Sequence, residues 1–463
     1  MRYISTRGYA GPNGEGVSFY QAMLDGLAPD GGLYLPAEWP QFLPRDVVGK
    51  GFPEIAEMIM APFVVPDLSQ RKLRQLIEKA CANFEHPEVT PLAAYRKGHH
   101  ILELFHGPTL AFKDVALQML GLLLDEALAK KSQNLTVLGA TSGDTGPAAI
   151  EGLKGRDHVQ TFMLFPAGRI SPVQRRQMTT VAAENVRPVA VKGTFDDCQK
   201  LVKEMFNHKP TREKYNLTAI NSISWARLLP QMVYYFYAWA QLQKPLTFSV
   251  PTGNFGDVFA GFMARKCGLP MNKLIIATNK NDILPRFIKH GDYSNRGVHA
   301  TQSPSMDISV ASNFERYLYL LSDGDGVAVK AMMETFEKTG ALPELSKEQM
   351  QKARHDFAAF RAYETNTTEA IQTAWRGKGV LVDPHTAVGL HATQEYLKLH
   401  PEEQVVTLAT AHPAKFADAV EKATGRLPKL PERLMHIMEA EENFDEISAE
   451  AEALKKLMEE KML

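Results

Sequence analysis

The 463-residue sequence predicts an α/β fold built on parallel sheet, and three observations carry that expectation. Residues 135–139, 161–165 and 186–191 are short apolar runs, separated by stretches with helical spacing at 170–181 and 195–206. The strand pattern returns at 246–250, 274–278 and 405–409, and such alternation of strands with helices is the signature of parallel sheet. No run approaches the ~18 apolar residues of a membrane span.

Composition narrows the class. Hydrophobic residues make up 44% and charged residues 23%, which suits an ordinary globular chain long enough for two or three domains. Lys+Arg total 52 against Asp+Glu 53, a formal charge of -1, so no net field favours nucleic acid or an anionic membrane. Cys81, Cys198 and Cys267 are far apart and form no CxxC pair, which argues against a disulfide framework or a zinc site. The first residues lack the apolar core of a secretory signal, so the expected setting is a reducing cytoplasm.

Taken in order, residues 1–95 read as a preface with helices near 17–27, 52–60 and 73–84 and a turn at Gly31-Gly32. A short strand at 101–105 leads into His106-Gly-Pro-Thr-Leu-Ala-Phe-Lys-Asp114. The loop Gly107, Pro108, Thr109 delivers Lys113 to the start of a helix whose Leu117, Leu120, Gly121 and Leu124 face a core. The aromatic run 228–242 reads as a buried helix. Residues 334–375 look mostly helical and highly charged, an insertion on the sheet spanning about 325–375. A short buried strand is expected at 380–382, and an acidic amphipathic helix at the end, packed on the surface.

Lys113 stands where the positive end of a helix dipole opposes a cation. That position suits an amine whose pKa must fall, or whose charge is lost on forming a Schiff base; equally it is a surface lysine paired with Asp114. Thr141-Ser-Gly-Asp-Thr-Gly-Pro147 follows a strand and opens a helix, so its free N–H groups can converge on a carboxylate or phosphate, or form an ordinary capped turn. Thr252-Gly-Asn-Phe-Gly-Asp257 has the same strand–loop–helix setting and suits a phosphate. It has no P-loop lysine, and Gly253 and Gly256 lack the spacing of a nucleotide fingerprint. Thr410 ends the strand 405–409, where a hydroxyl can point into a cleft at the carboxyl edge of the sheet; His412 and Asp383-Pro-His-Thr386 lie nearby in the same pattern. A lysine, two anion-binding turns and a strand-end hydroxyl together suit pyridoxal 5'-phosphate, which needs an amine, a phosphate cradle and a partner for its ring nitrogen.

These segments resemble the threonine synthase family, within the tryptophan-synthase-β-like class of pyridoxal-phosphate enzymes. The resemblance rests on His106–Asp114, Ser142-Gly-Asp-Thr-Gly-Pro-Ala148, Pro251–Asp257 and Thr410-Ala-His-Pro-Ala-Lys415. Thr6-Arg-Gly and Asp30-Gly-Gly-Leu-Tyr-Leu-Pro36 look like the longer branch of that family. The resemblance implies two parallel-type α/β domains flanking a cofactor cleft, with an N-terminal helical extension over 1–95. The large cofactor-binding domain would comprise 96–115 and 223–430, the small mobile domain 116–222, and a C-terminal helical segment 431–463.

It further implies that Lys113 is the Schiff-base lysine, that Gly253, Asn254, Phe255, Gly256 and Asp257 hold the cofactor phosphate, and that Thr410 meets the ring nitrogen. Relatives in the wider class carry an asparagine in the first turn, where this chain has Asp144. Ser142, Gly143, Asp144 and Thr145 become the candidates for substrate. Arg169 and Lys415 are the cations expected at the substrate's phosphate, chosen over Lys192 and Arg227. The implied reaction turns O-phospho-L-homoserine and water into L-threonine and phosphate, in a monomer or weak homo-oligomer. The rival outcomes are a phospho-lyase releasing 2-oxobutyrate, a serine or threonine dehydratase, and a homologue that binds without turnover.

Overall fold

The computed structural model describes residues 1–220 and 222–462. They form two compact units, one of residues 1–106 with 222–428, the other of 107–221 with 429–463.

The first unit is organised on a six-stranded sheet. Its order is Phe357–Arg361, Met271–Thr278, Leu246–Pro251, Val405–Ala409, His99–Glu103 and Leu92–Arg96, parallel throughout except for the last pair. Leu246–Pro251 is buried along its whole length, as a strand covered on both faces must be. Its polar Ser249 is satisfied by donating to the Gly389 carbonyl at 2.8 Å. The chain continues from this strand to one side, into Met271–Thr278, while Val405–Ala409 flanks it on the other. That reversal makes the carboxyl ends of these two strands the natural place for a ligand.

The helix Trp225–Leu242 is buried from Trp225 to Ala240, which explains why it is apolar all round. Residues of the preface cover it. Tyr3, Phe63 and Trp39 set their rings 5.8, 5.9 and 6.3 Å from that of Trp225.

Two expectations change here. The charged region 334–375 is not only helical: Phe357–Arg361 lies between the helices Lys347–Asp356 and Glu364–Lys378 and is the edge strand of the sheet. Residues 380–382 form no strand. Val382 buries its side chain with Ile371, Ala374 and Ala387, and Asp383 at once caps the helix Pro384–Leu399, so the apolar triplet serves a connector.

The second unit carries a five-stranded parallel sheet in the order Asp445–Ser448, Val186–Lys192, Val159–Pro166, Leu135–Ala140, Leu217–Thr218. The C-terminal helix Ala451–Lys461 does more than lie on a surface. Its Leu454, Leu457 and Met458 are buried in one cluster with Val189, Val191, Cys198 and Leu201. The helices Lys113–Lys131 and Thr145–Leu153 touch backbone to backbone. A Cβ on Gly121 would stand 1.9 Å from the Gly152 carbonyl oxygen, and one on Gly152 2.4 Å from that of Leu117. Only two glycines allow that approach, and it couples the helix begun by Lys113 to the helix begun by the Ser142 turn.

Candidate active site

In the second unit, Lys113 is the first residue of its helix. The segment before it is held tightly. The Asp114 carboxylate, fully buried, accepts from the Thr109 amide at 2.8 Å and the Thr109 hydroxyl at 2.6 Å. Asp114 is therefore engaged in shaping the loop. Leu110 has φ +62°, a left-handed conformation that costs a branched residue about 1 kcal/mol or more. It is held there by packing on Leu434 and Ile437. Gln177 donates to the Thr109 carbonyl at 3.1 Å and Arg433 to that of Gly107 at 2.6 Å.

The Lys113 Nζ lies 3.6 Å from Asp144 Oδ2, and the Asp144 carboxylate is 3% exposed. Gln174 donates to the other Asp144 oxygen at 3.0 Å. The carboxylate in the Ser142 turn is thus committed to an amine and an amide, and the turn's donors for an anion are its backbone N–H groups. The amides of Ser142 and Thr145 make no hydrogen bond among the described residues. Thr141 braces the turn, its hydroxyl accepting from the amides of Gly143 at 3.2 Å and Gly146 at 3.0 Å.

In the first unit, Thr407 pairs with Ser249 across the two central strands. Three residues further on, Thr410 and Thr252 leave the sheet at the same level. The Thr410 side chain is largely buried, and its hydroxyl makes no hydrogen bond among the described residues. The turn that starts at Thr252 runs through Phe255 at φ +67° into the helix Gly256–Lys266. The amides of Gly253, Asn254 and Phe255 have no partner among the described residues. The Asn254 side chain accepts from the Gly256 amide at 2.9 Å, and the Asn254 carbonyl accepts from the Asn313 amide at 3.0 Å. Unpaired amides at a helix N-terminus are the donor set a phosphoryl group requires.

Asp257 takes a different part from its neighbours. Its carboxylate is buried and accepts from the Tyr234 hydroxyl and, at 2.9 Å, from the Tyr235 hydroxyl. Burial pushes its pKa up to about 6, against the opposing effect of the two tyrosines. The side chain thus anchors the turn from behind; an anion would meet only the backbone here.

The candidate cations separate. Arg169 is exposed on the turn after Val159–Pro166, and Lys192 is paired with Glu446 at 2.9 Å on the surface. Lys415 is buried, in the short helical turn Pro413–Phe416. Arg227, passed over in the sequence reading, has an unusual setting. It is 4% exposed, its Nε and Nη1 have no partner among the described residues, and burial alone lowers its pKa to about 10. It sits in the first turn of Trp225–Leu242, where the dipole adds to the strain on a cation. Its neighbour Leu228 would stand 3.6 Å from a Cβ on Gly256, so Arg227 rides on a segment packed against the phosphate-type turn. Asn313 braces the same neighbourhood, donating to the Ser222 and Asn254 carbonyls at 3.2 Å, and is itself held by the fully buried Arg316 at 2.6 Å. No local motif announces Arg227; that it has no counter-charge among the described residues appears only in three dimensions.

A lysine at a helix start beside a buried carboxylate, two turns with amides unpaired among the described residues and a strand-end hydroxyl, all on parallel sheets, are the groups that a pyridoxal-phosphate-dependent enzyme needs. Residues 88–347 match the family described as pyridoxal-phosphate dependent enzyme. Residues 2–81 match the threonine synthase N terminus and 386–458 the threonine synthase C-terminal family. A threonine synthase of Pseudomonas aeruginosa is 46% identical over 96% of this chain and 94% of its own length. The crystal structure of a pyridoxal-phosphate-bound threonine synthase from Brucella melitensis superposes with a TM-score of 0.96 at 44% identity, covering 100% of this chain and 99% of its own. That of the yeast threonine synthase gives 0.94 at 40% identity, covering 100% and 98%. The chain belongs to the threonine synthase family.

Proposed function

We infer that this protein is a threonine synthase, which uses pyridoxal 5'-phosphate to convert O-phospho-L-homoserine and water into L-threonine and phosphate. The observation that carries the reading, beyond family membership, is the pairing of two unmet demands for anions. Among the described residues the 253–255 amides lack acceptors, and the buried Arg227 lacks a counter-charge. A cofactor phosphate and a substrate phosphate answer one each.

When bound, pyridoxal phosphate supplies an electron sink that weakens the C–H bonds beside the substrate's amine. The rest falls to the chain's own groups. Lys113 Nζ would hold the cofactor's aldehyde carbon and, as a free amine, would accept and return protons on the substrate carbons. Asp144 at 3.6 Å is placed to steady that amine whenever it carries a proton. The amides of Gly253, Asn254 and Phe255 would hold the cofactor's phosphate, with Gly256 tied to the Asn254 side chain and Asp257 fixing the helix behind them. The Thr410 hydroxyl meets the ring nitrogen as a neutral partner and enforces no charge on it. The amides of Ser142 and Thr145, in the turn that Gly143 and Thr141 brace, would grip the substrate's carboxylate, and Arg227, with Lys415 as a second buried cation, would take the phosphate that leaves the γ carbon. Overall the γ C–O bond and one β C–H bond break, a C–H bond forms at the γ carbon, and water supplies the hydroxyl that replaces the lost hydrogen at the β carbon.

A cytoplasmic setting, and a monomer or weak homo-oligomer, complete this reading. The three cysteines are free, and among the described residues no helix is long and apolar enough to cross a membrane.

Product analysis tests it. Incubation with phosphohomoserine yields threonine and phosphate in equal amounts, and Lys113→Ala stops both. 2-Oxobutyrate as the main organic product would make the protein a phospho-lyase instead.

A further inference from the structure

The Asp383-Pro-His-Thr386 segment has no part in the reading above, yet its histidine is placed with more care than a helix cap needs. Asp383 caps Pro384–Leu399 unaided: its carboxylate accepts from the amides of His385 at 2.9 Å and Thr386 at 3.0 Å, and from the Thr386 hydroxyl. The His385 ring is 3% exposed and lies against Phe416, centroids 4.7 Å apart. Its Nδ1 is 2.7 Å from Asp383 Oδ2, and its Nε2 is 3.1 Å from the amide nitrogen of Ser305.

An amide N–H can only donate. Nε2 therefore carries a lone pair, Nδ1 carries the proton, and that proton goes to Asp383. The ring is a fixed acceptor for one backbone amide. That amide belongs to the segment that lies on Gly253. A Cβ at Gly253 would stand 3.2 Å from both the Ser305 carbonyl oxygen and the Met306 Cα. The other end of the segment is anchored independently, by Asn279 donating to Ser303 Oγ at 2.9 Å and to Asp307 Oδ1 at 2.8 Å. Asp383 thus orients His385, His385 holds Ser305, and the Ser305–Met306 backbone lies where Gly253 must turn.

We propose that His385, oriented by Asp383, is a positioning residue that sets the phosphate selectivity of the Gly253–Gly256 turn by fixing the Ser305–Met306 backbone against it. This rests on the reading that the turn holds the cofactor's phosphate. The residue touches neither cofactor nor substrate. Its effect is confined to the phosphoryl end of the cofactor and spares the aldehyde and the ring.

The test compares the dissociation constants of pyridoxal 5'-phosphate and pyridoxal, which lacks the phosphate, for the apoenzyme. In His385→Ala the preference for the phosphorylated form falls about tenfold, the scale of one lost hydrogen bond, while pyridoxal affinity is unchanged. His385→Phe fills the ring's space and keeps the contact with Phe416, so it gives the same loss should the alanine variant fold poorly. His385→Gln, whose amide oxygen can accept from Ser305, retains most of the preference. Gly253→Ala is the control for the turn. If it lowers the preference while the alanine and phenylalanine variants leave it intact, or weaken both ligands alike, the role of His385 is refuted and the turn's role stands. If Gly253→Ala leaves the preference untouched, the turn is not the phosphate site and both fall.

Discussion

The Arg433 guanidinium donates to the Gly107 carbonyl at 2.6 Å, tying the C-terminal segment to the loop that presents Lys113. The tie is reinforced. Leu434 and Ile437 pack on the left-handed Leu110, and Arg176 donates to the Ile437 and Ala440 carbonyls at 2.9 and 3.0 Å. An amine at the head of a helix is only as well placed as the turn before it. Arg433→Ala should lower kcat about tenfold or more, because small misplacements of a reacting group are costly, with the KM for phosphohomoserine changed much less. Steady-state kinetics decide this, and a change confined to KM would show that the C-terminal segment plays no part in aiming Lys113.

The contact of Gly121 with Gly152 predicts a change in stability. A methyl at Gly121 would meet a backbone oxygen at 1.9 Å, and no side-chain rotation relieves that. Gly121→Ala gains helix propensity of about 1 kcal/mol but forces two helices apart, and the net effect should be a loss of about 2 kcal/mol. Denaturant unfolding measures it. An unchanged or raised midpoint would mean that the helices have room to separate.

Asp257 predicts a slope with pH. Its pKa stands at about 6 in the folded protein against 3.8 for the free group. Between those values the folded state holds a proton that the unfolded state has released. The contribution to stability therefore falls as pH rises across this window, and the penalty is fully present above about pH 6. At about 1.4 kcal/mol per pH unit it amounts to roughly 3 kcal/mol. Asp257→Asn can still accept from both tyrosines and does not ionise. The difference in unfolding free energy between wild-type apoenzyme and this variant should grow from pH 4 to pH 6 and then level off. A difference that stays flat across that range contradicts the assignment.

How much of this was readable in the chain depends on how local each signal is. Lys113, the Ser142 turn and the Gly253 turn each lie within one short stretch, so the sequence displays their setting of strand, loop and helix. The central strands are readable for the same reason. The four edge strands of the two larger sheets, Leu92–Arg96 and Leu217–Thr218 among them, are not. Phe357–Arg361 is five residues long among charged helices, and Asp445–Ser448 carries a single buried apolar side chain, Ile447. An edge strand needs little apolar pattern, because its ladder to the neighbour holds it. The residues around the proposed anion sites are least visible. Arg227, Arg316 and His385 are ordinary letters in sequence. Their meaning comes from what surrounds them: no counter-charge among the described residues for the first, three backbone and side-chain oxygens for the second, a carboxylate and one amide for the third.

Arg227 gives the sharpest test, since its two expected effects have opposite signs. A buried guanidinium whose Nε and Nη1 have no partner among the described residues raises the free energy of the ligand-free fold. Arg227→Met keeps the length of the side chain and removes the charge. The apoprotein should therefore become more stable, with a higher thermal midpoint. The same change removes charge-assisted hydrogen bonds to the substrate's phosphate, worth about 2–4 kcal/mol, so kcat/KM for phosphohomoserine should fall roughly 10²-fold or more. Inhibition by inorganic phosphate should weaken in parallel. A residue kept only for packing would lose stability on substitution and leave phosphate inhibition as it was. The combination of a firmer apoprotein and a lost phosphate response is one that only a ligand-directed arginine produces. Lys415→Met, at the other buried cation, runs as a companion, and a larger loss of phosphate response there than at Arg227 would move the leaving-group site to Lys415.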